Sequence, residues 1–97
     1  MIEHVVIIKF KENTSSEHLH EVCSRFKLLK GRIPGLVDVR AGINFTDKNQ
    51  GYQILLTAQF ENRAALESYG PHPDHRAVAD FIREAGRIDS IVLDIEI

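Results

Sequence analysis

The sequence predicts an α+β domain in which four strands form one antiparallel sheet and the helices cover one of its faces. Three observations lead there: four β-rich stretches, helical regions after the first and third of them, and a break inside the second helical region. The resulting order, β-α-β-β-α-β, is the split, ferredoxin-like arrangement. A chain of 97 residues has room for one such domain, spanning residues 1–97.

From Glu3 to Lys11 the chain is rich in β-branched residues and apolar on both alternating faces, with His4, Val6, Ile8 and Phe10 on one and Val5 and Ile7 on the other. A small sheet with two apolar faces needs helices on one side and a further body on the other, so a homodimer through the sheet faces is expected. Thr14, Ser15 or Ser16 caps the next element. Leu19, Val22, Cys23, Phe26 and Leu29 then recur at helical spacing, which predicts a helix to about Lys30. His18 and His20 lie off that stripe and read as surface residues. Gly31 stops the helix and Pro34-Gly35 turns the chain.

Leu36 to Asn44 alternates, with Val37, Val39, Ala41 and Ile43 on one face and Leu36, Asp38, Arg40 and Gly42 on the other, the pattern of a half-exposed strand. The polar, turn-prone run from Asn44 to Gly51 joins it to a third strand, Tyr52 to Glu61. Tyr52, Ile54, Leu56, Ala58 and Phe60 share one face of that strand. Asn62 caps a helix to Tyr69, and Ala77, Val78, Phe81, Ile82 and Ala85 form the stripe of another that Gly86 ends. Ile88 to Ile97 closes the chain as a fourth strand, setting Ile91, Leu93, Ile95 and Ile97 against Ser90, Val92, Asp94 and Glu96.

Apolar residues make up 43% of the chain and charged residues 27%, the balance of a globular protein. Fourteen acids against 12 bases leave a net charge of -2 without long runs of either sign, which argues against nucleic-acid or anionic-membrane partners. No stretch approaches the about 20 apolar residues of a spanning helix, and no basic leader precedes the first strand, so a cytoplasmic protein is expected. The single Cys23 excludes an internal disulfide and reads as a small apolar residue on a buried helix face.

Chemistry is densest in Tyr69-Gly70-Pro71-His72-Pro73-Asp74-His75, where a phenol, two imidazoles and a carboxylate crowd a helix break. Pro71 and Pro73 fix their own φ and disfavour helix at Gly70 and His72, so one helix ends near Tyr69 and another begins at Pro73 or Asp74. Imidazole titrates near neutrality and suits a general base, and a phenol donates to an oxyanion, so His75 and Tyr69 are the candidate catalytic pair. Asp74 is adjacent to His75 and poorly placed to orient it. A structural alternative has the imidazoles bonding backbone groups around the prolines. A metal site from His4, His72 and His75 is a further option, but no carboxylate or thiolate pattern completes a familiar signature.

The chain resembles the stress-responsive dimeric α/β-barrel (Dabb) family. The resemblance rests on His4-Val5-Val6, Lys9-Phe10-Lys11, Ile33-Pro34-Gly35, Gly42 with Asn44, Gly51-Tyr52, Phe60-Glu61, Ala65-Leu66 with Tyr69, the His72-Pro73 and His75 cluster, and Asp94-Ile95-Glu96-Ile97. It implies a subunit that pairs into a dimeric α/β barrel, with a pocket between sheet and helices. It also implies chemistry like that of the family's polyketide-cyclase type, an intramolecular aldol condensation without metal or cofactor, in which Tyr69 and His75 match the tyrosine and histidine and His4 matches a strand histidine. Ile54 stands where that type has another pocket histidine. The resulting candidates are His75 and Tyr69 as catalytic groups and His4, His72, Ile54 and Phe26 as substrate-binding neighbours, with no metal and no cofactor. The expected activity is that of a lyase or cyclase on a small carbonyl compound. The alternatives are a non-enzymatic stress or assembly protein and a cofactor-free monooxygenase-like barrel.

Overall fold

The four apolar stretches form β1 (Ile2–Phe10), β2 (Leu36–Ile43), β3 (Tyr52–Phe60) and β4 (Arg87–Glu96) in the computed structural model, which describes all 97 residues. They pair antiparallel in the order β2-β3-β1-β4, so β1 and β3 are central. Helices α1 (Ser16–Lys27), α2 (Arg63–Tyr69) and α3 (Pro73–Ala85) cover one face of the sheet. Fold and element order agree with the sequence reading.

Each helix starts where a side chain satisfies an orphan backbone donor. The Ser15 hydroxyl accepts from His18 N–H at 3.1 Å, Asn62 Oδ1 accepts from Ala65 N–H at 2.9 Å, and His72 Nδ1 accepts from Asp74 N–H at 3.1 Å. The α1 stripe buries Leu19, Val22, Cys23 and Phe26, and the helix ends at Lys27, earlier than the periodicity suggests. Leu29 continues the buried face from a tighter turn.

Two departures from simple alternation matter. In β2 the register shifts between Leu36 and Asp38, so Leu36 turns inward to the core and Val37 outward, the reverse of the assignment read from the sequence. On α3, Ala77 faces solvent, and the inner face carries Val78 and Ile82 with Ala79 beside them. Gly35 has φ +80°, and a Cβ there would lie 2.4 Å from the Cβ of Ala65, so this turn brings the start of β2 hard against α2.

The inner sheet face carries the core, in which Phe10, Phe60, Ile54 and Leu56 are almost completely buried. The outer face is uncovered and carries an apolar patch beside the polar group Glu3, Asp38, Arg40, Thr57 and Gln59. Ile7 pairs with Leu55 and Ile91, and Val5 pairs with Leu93, so these side chains form a continuous patch in which Leu93 is 56% exposed. No helix is long and apolar enough to cross a membrane.

Candidate active site

The break between α2 and α3 puts Tyr69 at the end of one helix and His75 in the first turn of the next, and folds both over His4 of β1. Tyr69 and His75 are in ring contact, with centroids 4.1 Å apart. His4 lies edge-on to Tyr69 at 5.9 Å, and Phe60 backs the phenol at 4.9 Å. These rings close one end of a cavity of about 330 Å³ between α3 and the inner faces of β1 and β4. Phe26, Val6, Ile8, Leu56, Ile82 and Val92 supply much of its apolar wall.

The hydrogen bonds define what each ring offers. His75 Nδ1 donates to the Gly70 carbonyl at 2.9 Å, which fixes the tautomer and leaves Nε2 as an acceptor. Burial lowers the affinity of His75 for a proton, and His4 and His72 nearby add to that, while the Gly70 carbonyl opposes it. His75 is therefore held as neutral imidazole. Tyr69 is only 3% exposed, and its hydroxyl has no hydrogen-bond partner in the protein. Burial pushes that phenol well above its ordinary range, so it stays protonated and acts as a donor.

His4 is buried, and its Nδ1 is hydrogen bonded to the Asp94 carboxylate on the neighbouring strand. His4 and Asp94 are direct cross-strand partners, so the sheet register itself sets this pair. The sequence reading missed this role for Asp94. Alternation already placed Asp94 on the face opposite Ile91 and Leu93, but only the β1–β4 register puts it beside His4. The orienting carboxylate thus serves His4, while a backbone carbonyl orients His75.

His4, Tyr69, His75 and Phe26 all line the cavity, whereas His72 and Ile54 do not. The ring nitrogen of His72 is committed to capping α3, and Ile54 is packed in the core at 1% exposure. His4, His72 and His75 do not converge as a group of three metal ligands, and each Nδ1 is engaged with a different protein group. Arg83, Arg87 and Ser90 also line the cavity and were not singled out from the sequence.

Comparison with known proteins bears on this arrangement. The family described as "Stress responsive A/B Barrel Domain" (Dabb) matches residues 2–97. Olivetolic acid cyclase of Cannabis sativa is 29% identical over 84 residues, covering 84% of this chain and 83% of that protein. The stress-response A/B barrel domain-containing protein HS1 of Arabidopsis thaliana is 24% identical over 94 residues, covering 95% of this chain and 84% of that protein. Among solved structures, a dimeric ferredoxin-like protein of unknown function from Jannaschia sp. CCS1 superposes with a TM-score of 0.81 at 25% identity, covering 99% of this chain and 98% of that one.

Proposed function

The chain belongs to the stress-responsive A/B barrel domain family, and from that premise we propose that it is a cofactor-independent enzyme that moves a proton next to a carbonyl group, as a lyase or cyclase does. The observation that carries this reading is the Tyr69 hydroxyl, a buried donor without a partner that sits against the His75 imidazole at the end of an apolar cavity. A buried polar group left unpaired costs about 1–3 kcal/mol, and a ligand oxygen at this place removes that cost. Similarity to a protein named as a cyclase supports the same chemistry.

In this mechanism the carbonyl oxygen accepts a hydrogen bond from Tyr69. His75 Nε2 takes a proton from the adjacent carbon, and the electron pair of that C–H bond becomes an enolate whose oxygen Tyr69 stabilises. The enolate carbon then attacks a second carbonyl of the same molecule. A new C–C bond forms, and the resulting alkoxide recovers a proton from the His75 imidazolium. His4, held by Asp94, packs against the face of the site as a positioning group.

The uncovered apolar patch on the outer sheet face supports pairing of two chains through that face, as does likeness to a structure described as dimeric. The catalytic reading is tested by deuterium exchange at the α-carbon of 2-octanone in D2O, followed by NMR. Wild type should exchange on the order of 100-fold faster than His75→Ala or Tyr69→Phe. Equal rates in all three proteins would remove it.

A further inference from the structure

The cavity has two chemically different ends. His4, Val6 and Ile8 follow one another along its β1 wall, and Val92 and Ser90 line it from β4 opposite Val6 and Ile8. At about 3.4 Å per residue, the His4 and Ile8 registers lie roughly 14 Å apart. The α3 wall runs the same way, through His75, Ala79, Ile82 and Arg83. At about 1.5 Å per residue, Arg83 lies roughly 12 Å along the helix from His75. Both walls therefore begin at the Tyr69–His75–His4 cluster and end at Arg83 and Arg87, with apolar side chains between.

No aspartate or glutamate lines this cavity. Arg87 makes no ion pair, and a single hydrogen bond to Ser90 Oγ, at 3.1 Å, uses one of its donors. Arg83 pairs only with Asp80, one turn back on the exposed side of α3, in a contact that water screens. Guanidinium groups stay charged at all relevant pH, and their planar fork matches a carboxylate. Two largely uncommitted guanidinium groups thus stand at one end of a cavity that no acidic residue lines.

We propose that the cavity takes a carbonyl compound that also carries a carboxylate. The carbonyl sits at Tyr69, the carboxylate sits on Arg83 and Arg87, and an apolar chain spans the middle. Placing the carbonyl at Tyr69 rests on the proton-transfer reading above; the anion subsite does not. The arginine side chains reach back into the cavity, so the spacer is shorter than the separation along the walls.

The test is calorimetric titration of 7-oxooctanoate and its methyl ester against wild type, Arg87→Lys and the Arg83→Gln/Arg87→Gln double variant. Both arginines are exposed, so the variants should keep the wild-type fold, which circular dichroism checks. Wild type should bind the acid about tenfold tighter than the ester, and added salt should shrink that preference. Arg87→Lys should retain part of the preference and the double variant none. An acid that binds wild type no tighter than the ester, or a preference that survives in the double variant, overturns the proposal. Acid preference without α-proton exchange leaves the subsite standing and removes the enzymatic reading. Exchange on 2-octanone without acid preference does the reverse.

Discussion

Tyr69 shows how a single side chain can work against its fold. Its hydroxyl is buried and unpartnered, so Tyr69→Phe removes a desolvated polar atom without opening a cavity. Thermal or urea unfolding should show that variant unchanged or more stable by up to about 1 kcal/mol, while its exchange rate falls on the order of 100-fold. A structural tyrosine would lose stability instead. His75 makes the matching prediction for pH. Burial, the largest influence, holds its folded-state pKa below the ordinary value of 6.5. At low pH the unfolded chain therefore binds a proton that the folded chain resists. The stability this group contributes is present above 6.5 and is lost as the pH falls through the lower folded value. The acid limb of kcat/KM should accordingly have its midpoint below 6.5, and a midpoint at or above that value would show that His75 is not the base.

At the scale of elements, the site depends on how α2 and α3 are stopped and restarted. His72 was a candidate for binding substrate, yet it holds the N-terminus of α3 through Asp74 N–H. His72→Ala should cost about 1 kcal/mol of stability in denaturant unfolding, whereas His72→Asn should restore most of it by offering another capping acceptor. Activity should follow the cap in both variants. The Gly35 turn controls α2 in the same indirect way. Its positive φ and its contact with Ala65 leave no room for a methyl group, and its carbonyl accepts from Glu61 N–H at 2.9 Å. Gly35→Ala should destabilise the protein by roughly 2–4 kcal/mol, through strain and displacement of α2 from the sheet. Unfolding at wild-type denaturant concentrations would show that the turn adapts.

At the scale of the whole molecule, the two faces of the sheet have different tasks. The inner face holds the core and one wall of the cavity, while the outer face exposes Leu55, Ile91, Leu93 and Ile95. Phe45, 99% exposed, projects from the β2–β3 connection. A specific interface buries about 800 Å² per partner, and a sheet face of four strands with an apolar patch along β1, β3 and β4 is a suitable size for one. Sedimentation should show wild type as a dimer, and Leu93→Lys should shift it to monomer, because a lysine there puts an unpaired charge into the apolar patch on both partners at once. A monomeric wild type would leave the outer face without a covering body.

Hydrophobic periodicity, caps and turn residues by themselves determined the element order, the sheet-and-helix layers and the split second helix. Each of these is a local property written within a few neighbouring residues, as at Asn62 and Pro73. The crowding of Tyr69 and His75 was legible for the same reason, since both flank one break. The His4–Asp94 pair, the inward turn of Leu36 and the cationic end formed by Arg83 and Arg87 were decided by the tertiary structure. Those features depend on strand register, a bulge, and the direction in which α3 crosses the sheet. Residues distant along the chain meet only once the antiparallel pairing is set, and alternation within one strand says which face a side chain takes but not which neighbour it finds there.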